Sequence, residues 1–284
     1  MKQFFGMSKR GDLQEAISGL KSPQAILLLS NVDQFEDHVA QLEAAFPGVP
    51  SIGCIDMCYD IQVVEKGVGV VAYEGVTALA GVLEQVSVMP VKYIQRFMED
   101  MNNIKAGPND TVCIDFCTGN DACVLAAVGS VIANKKISLV GGTGDAGKVS
   151  ANGKIYTDAD AYIFIKNNNG RVGVYKENIY GPMEESCRMI TAETDRSNIM
   201  GELKDYREVV VGTINQIRHD FSHISGVFSV NCLFRYLLVT QKSDIQEYLR
   251  AMSKLGNHAG MISCGEHYNN QLLNQTMTCV VFGI

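Results

Sequence analysis

Apolar and polar positions along the chain fall into short blocks that predict alternating strands and helices. "AILLLS" (25–30) and "TVCIDF" (111–116) are apolar runs that end in polar residues, the signature of buried strands. In "DQFEDHVAQLEAAF" (33–46), Phe35, Val39, Leu42, Ala45 and Phe46 recur at three and four, which predicts an amphipathic helix. Asp33, or Asn31 before it, is placed to cap its first turn. Further on, Ser243 precedes Ile245, Tyr248, Leu249 and Met252, and Gly256 ends that helix.

The blocks repeat three times. "AILLLSN", "FEDHVAQLEAAF", "VPSIGCID" and "GVGVVAYE" form the first set. "TVCIDFCTGN", "ACVLAAVGSVIAN", "ISLVGGTGD" and "DAYIFIKN" form the second. "GVFSVNCLFR", "DIQEYLRAMSKLG", "AGMISCGEH" and "TMTCVVFGI" form the third. Each reads strand, helix, strand, small-residue loop, strand. A short strand-helix-strand crossover makes two parallel strands of right-handed connection, and the last strand returns antiparallel. The fold class expected is therefore α/β: two-lobed, with mixed β-sheets flanked by helices and built from repeated βαββ-type units. The polar stretch 176–212 interrupts the repeats, with Met189-Ile190 and Val209 to Val211 as strand pieces inside it. This places an N-terminal domain at 1–175 and a C-terminal one at 176–284.

Ligands of open α/β sheets sit beyond the carboxyl ends of the parallel strands. That rule predicts a rim of Ser30-Asn31, Cys54 to Asp56, Cys117 to Asn120, Thr143 to Asp145, Cys232 to Arg235 and Cys264 to His267.

Composition narrows the function classes. Apolar residues make up 46% and charged residues 19% of the 284, a globular balance, and the net charge of −7 argues against a nucleic-acid partner. No apolar run of about 18 residues crosses a membrane, and the first residues lack a signal-peptide core. Nine scattered cysteines, an odd number, read as reduced thiols of a cytoplasmic protein.

Several chemical motifs fail on inspection. Gly142 to Lys148 has phosphate-loop spacing, but Val149 replaces the Ser or Thr, and strand-like alternation follows instead of a helix. Cys113 and Cys117 lie on one strand, about 13 Å apart at ~3.3 Å per residue, too far to share a metal. His219 and His223 have helical i, i+4 spacing but no evident third ligand, and His258 falls in the turn before a strand. Two rim groups remain. Cys264 would be a nucleophile if a base activated it, with His267 three residues on. Arg235 offers a planar fork for a carboxylate, or a partner for Glu266.

"FPGVPSIGC", "SLVGGTGDAG" with "GKIYTDADAYIFI", "VNCLFRYLL" and "GMISCGEHYNNQLLNQT" resemble, in that order, the FIST sensory domain (F-box and intracellular signal transduction), with its N-terminal and a shortened C-terminal portion. The resemblance implies an intracellular sensor of a small ligand, such as an amino acid or related metabolite. It implies output to a separate protein: a histidine kinase, a cyclic-dinucleotide enzyme or a chemotaxis component. One branch resembles haem-binding nitric oxide sensors, for which His267 is the weak haem-ligand candidate; otherwise no metal or cofactor is expected. Carried over, the family pattern falls on Cys232 and Arg235, on Gly265 and Glu266, on Asn274 and Thr276, and on Gly141, Gly142 and Asp145. The ligand-binding set expected is Arg235, Glu266, Cys264, Gly265, Asn274, Cys232, Cys54, Thr143 and Asp145, with Arg235 and Glu266 as polar anchors. A thiol-dependent enzyme using Cys264 is the competing reading.

Overall fold

The computed structural model describes residues 1–182, 201–241 and 244–284. Its elements follow one order three times: strand, helix, strand, helix, strand, hairpin, strand. The first unit is β1 (Lys2–Ser8), α1 (Leu13–Ile17), β2 (Ala25–Ser30), α2 (Phe35–Ala45), β3 (Ser51–Ile55), the hairpin β4 (Cys58–Tyr59) and β5 (Val63–Val64), and β6 (Val68–Glu74). The second is β7 (Val76–Glu84), α3 (Ile94–Asn103), β8 (Thr111–Cys117), α4 (Asp121–Lys135), β9 (Ser138–Thr143), the hairpin β10 (Asp145–Ala151) and β11 (Lys154–Tyr156), and β12 (Ala159–Asn167). The third begins at β13 (Arg171–Asn178). A small pair, β14 (Tyr180–Pro182) and β15 (Gly201–Leu203), follows it, then α5 (Tyr206–Asp220) and β16 (Ile224–Cys232). It ends with α6 (Leu233–Gln241), α7 (Ile245–Ser253), β17 (His258–Ser263), the hairpin β18 (Glu266–Tyr268) and β19 (Gln271–Leu273), and β20 (Thr276–Gly283).

The parallel pairs fall where the repeat places them: β2 with β3, β8 with β9, and β16 with β17. Strands β6, β12 and β20 return antiparallel to β2, β8 and β16. The α/β class with mixed sheets flanked by helices is thus what the molecule adopts.

The hairpins change the architecture. None stays with its own unit. The β4–β5 hairpin pairs with β17 of the third unit, β10–β11 pairs with β3 of the first, and β18–β19 pairs with β9 of the second. Each six-stranded sheet is completed by its neighbour's hairpin, in a closed cycle.

This exchange requires close backbone approach. A Cβ on Gly144 would lie 2.9 Å from the Cys54 Cβ, and one on Gly142 would lie 2.5 Å from the Gly265 carbonyl oxygen. Only glycine fits at either position.

One core joins the inner faces of all three sheets. Leu27 and Leu29, Ile114 and Phe116, and Phe228, Val230 and Phe282 meet there, with the Phe116 and Phe228 rings 6.3 Å apart. Each such side chain contributes about 1.5–3 kcal/mol on burial. The helices cover the outer faces: α1 and α2 on the first sheet, α3 and α4 on the second, α5 to α7 on the third. Among the described residues no helix is long and apolar enough to cross a membrane.

Several local expectations change. Val209 to Val211 lie in α5, capped by Asp205, whose side chain accepts the Arg207 amide at 2.9 Å. His219 is in that helix and His223 lies beyond its end, so the two do not share a helical face. His258 opens β17, buried. At α2 it is Asn31, not Asp33, that accepts the Gln34 amide, at 3.1 Å. Met189-Ile190 and Ser243 lie outside the described residues. Residues 142–148 run from β9 into β10 with no helix, so there is no phosphate loop.

Candidate functional site

The carboxyl ends of the parallel strands meet because the chain crosses from sheet to sheet there. The Thr143 amide donates to the Gly265 carbonyl at 3.0 Å, and the Cys264 amide donates to the Thr143 carbonyl at 3.4 Å. The Ile262 amide donates to the Met57 carbonyl at 3.1 Å, and Gly144 packs on Cys54. The tips of the three units are therefore one locality.

Beside this crossing lies a cavity of about 500 Å³. Ser30 to Gln34 form one wall, Ile55, Asp56 and Met57 another, and Glu65-Lys66 and Asp145 the mouth; Leu233, Ile262 and Cys264 close it from the third unit. Its chemistry is mixed, with apolar walls and convergent polar groups, as in small-molecule sites. Asp56 Oδ1 accepts the Met57 amide at 2.8 Å. Burial, and then the nearby Asp145 carboxylate, push the Asp56 carboxyl well above the usual range.

Ser30, at the floor, has its Oγ 2.7 Å from His38 Nδ1, and His38 Nε2 lies 2.8 Å from the Gly11 carbonyl oxygen. That carbonyl only accepts, so Nε2 carries a proton, and the Ser30 hydroxyl is within reach of both His38 Nδ1 and the Asn31 carbonyl, the latter at 3.0 Å. Both residues are buried. The pair ties β2 to α2 rather than presenting a nucleophile. Its signal in the sequence was a histidine set into the apolar stripe of Phe35, Val39 and Leu42.

Of the nine expected ligand residues, only Cys264 and Asp145 line the cavity. Cys264 is exposed. Burial, then Asp56 and Asp145, raise its thiol pKa, and no histidine lines the cavity. It is not an activated nucleophile. Cys54 is buried against Gly144, and Gly265 and Thr143 form the crossing itself. Asn274 is exposed and outside the cavity, its carbonyl accepting from Thr276 Oγ1 at 2.8 Å.

The anchor pair Arg235 and Glu266 is corrected. The segment after β16 is not a rim loop but α6, which turns Arg235 inward. There it is fully buried, ion-paired with Glu177 on β13, with the Tyr248 ring 5.4 Å from its guanidinium. Glu266 is buried too, its Oε2 accepting the Thr276 amide at 3.3 Å. Burial pushes its carboxyl up to about 8, against the opposing pull of Thr276, Cys232 and Arg235. Cys232 is buried beside it, its thiol raised by burial and by Glu266.

His267 is clamped between two carboxylates, Nδ1 at 2.7 Å from Asp115 and Nε2 at 2.8 Å from Asp121. Thr143 Oγ1 also donates to Asp121. Burial opposes the imidazolium charge, but Asp115 and Asp121 outweigh it and push the histidine up to about 10. With both ring nitrogens engaged and no exposed surface, His267 does not fit an axial haem ligand.

The model of the FIST N domain family matches residues 24–205. A solved structure described as "Cyanuric acid hydrolase: evolutionary innovation by structural concatenation" aligns over 100% of this chain and 99% of its own. Its identity is 10% and its TM-score 0.47, too loose a likeness to bear on function. A comparison with curated proteins finds no match.

Proposed function

The chain belongs to the FIST N domain family, and from that premise we propose that it is a cytoplasmic sensory protein whose cavity beside Asp56 and Cys264 binds a small metabolite. The observation that carries this reading is the position of the cavity. It lies beyond the carboxyl ends of β2, β3 and β17, and it draws walls from all three units. A ligand there would touch the ends of three interlocked sheets at once, so its binding energy would bear on their relative placement. Output passes to a separate protein of the histidine-kinase, cyclic-dinucleotide or chemotaxis kind. The resemblance to haem-bearing relatives is not carried over, because His267 is occupied. A thiol-dependent reaction at Cys264 is disfavoured, because no histidine lines the cavity and burial, then Asp56 and Asp145, raise the thiol pKa.

The test is a thermal-shift screen of amino acids, small carboxylates and small amines, paired with site-resolved alkylation of Cys264. A ligand at 100 times its Kd raises stability by about 2.7 kcal/mol. The expected result is a compound that raises Tm and slows Cys264 labelling. Hits that leave Cys264 labelling unchanged, or a screen with none, would overturn the assignment.

A further inference from the structure

The cavity's charge is lopsided. Four carboxylates line it, Asp33, Asp56, Glu65 and Asp145, against one cation, Lys66. Among the described residues none of these five forms an ion pair. Asp145 Oδ1 accepts its neighbouring Ala146 amide at 2.7 Å, as Asp56 Oδ1 does that of Met57, and Glu65 Oε1 accepts from Tyr236 Oη at 3.2 Å. The Oδ2 atoms of Asp56 and Asp145 have no hydrogen-bond partner among the described residues. Asp145 pairs in register with Ile55, the residue before Asp56, so the two acids line one cleft and the Asp145 charge acts on Asp56, although they come from different units. The remaining walls, Val32, Ile55, Met57, Leu233 and Ile262, are apolar.

Two neighbouring carboxylates in a half-enclosed apolar cleft repel each other, and neither is ion-paired among the described residues. A carboxylate ligand would worsen this. A ligand with an ammonium end would relieve it, its N–H groups reaching both Oδ2 atoms while its body lies on the apolar walls. Resting on the sensory reading above, we propose that the cavity is selective for a small primary amine, held by Asp56 and Asp145 together. This reverses the polarity expected from Arg235, which is not in the cavity. A metal ion is the less suitable occupant, since no group of three ligating side chains converges among the described residues.

The titratable groups that share the cleft with Asp56 are Asp33, Glu65, Lys66, Asp145 and Cys264, and the buried thiols of Cys54 and Cys58 lie behind it, near enough to feel its charge. Asp56 is the acid held highest, by burial and by Asp145. Amine binding therefore strengthens as pH rises and Asp56 loses its proton, and it weakens in salt.

The experiment compares n-pentylamine, 1-pentanol and pentanoate, equal in length and different in charge, by their protection of Cys264 from alkylation. Each rate is normalised to that of the ligand-free protein. Pentylamine is expected to protect at least tenfold more strongly than the other two, more at pH 8 than at pH 5.5, and Asp56→Asn is expected to abolish the difference. Asp145→Asn, at an exposed position that leaves folding intact, is expected to weaken it severalfold. Equal protection by pentanoate, undiminished protection in both variants, or the same protection by Ca²⁺ alone would overturn the proposal. A neutral or anionic compound from the broad screen that protects Cys264 would leave the sensory reading standing while removing this one. If no compound of any charge protects Cys264, both fall.

Discussion

His267, on a hairpin of the third unit, holds the Asp115 carboxylate of the second unit at 2.7 Å, with neither group exposed to water. The ion pair, extended to Asp121, is a polar pin between exchanged elements. Removing one partner of a buried pair strands the other charge, which costs about 3–5 kcal/mol. His267→Ala is expected to lower stability by that order in urea unfolding, without changing the ligand-free labelling rate of Cys264 in the remaining folded protein.

The same pin sets an alkaline limit. His267 has its folded-state pKa raised, from 6.5 to about 10. Its stabilising contribution is complete below about pH 6.5 and is lost as pH rises through about 10. His258 has the opposite sign. Burial lowers it to about 3, so stability falls as pH drops from about 6.5 towards 3. Tm measured from pH 4 to 10 should fall on both sides, and His267→Gln should flatten only the alkaline limb.

Arg235 is a structural residue on this geometry. Arg235→Ala leaves Glu177 buried and unpaired and is expected to cost about 3–5 kcal/mol. The double variant Arg235→Met with Glu177→Gln should recover part of that loss in a double-mutant cycle. Protection of Cys264 by any cavity ligand should persist in the recovered variant, whereas an anchor role for Arg235 would abolish it.

Cys264 should alkylate more slowly at pH 7.5 than an unperturbed thiol, because burial, then Asp56 and Asp145, disfavour its thiolate. Asp56→Asn removes one of those charges and should speed ligand-free labelling severalfold. An unchanged rate would mean that Asp56 does not face the thiol.

Gly144 tests the crossing. A side chain there meets the Cys54 Cβ at 2.9 Å, so Gly144→Val is expected to yield little folded protein at 37 °C, as read by circular dichroism and solubility.

The sequence by itself determined the local grammar. The short apolar run Ala25–Ser30 is buried on both faces and the stripe of Phe35, Val39 and Leu42 on one, and a short continuous run against a 3.6-residue period leaves little freedom in the choice of element. It determined the parallel pairs, and with them that Ser30, Asp56, Asp145 and Cys264 stand at strand ends. Only the tertiary structure decided which unit each hairpin completes, because β4, β10 and β18 carry no mark of their partner and strand pairing is non-local. That exchange brought Asp145 beside Asp56 and set His267 between two aspartates. Arg235 was misread for a related reason. A charged side chain after a strand suits either a rim loop or a helix that buries it, and the deciding partner, Glu177, lies 58 residues away in the chain.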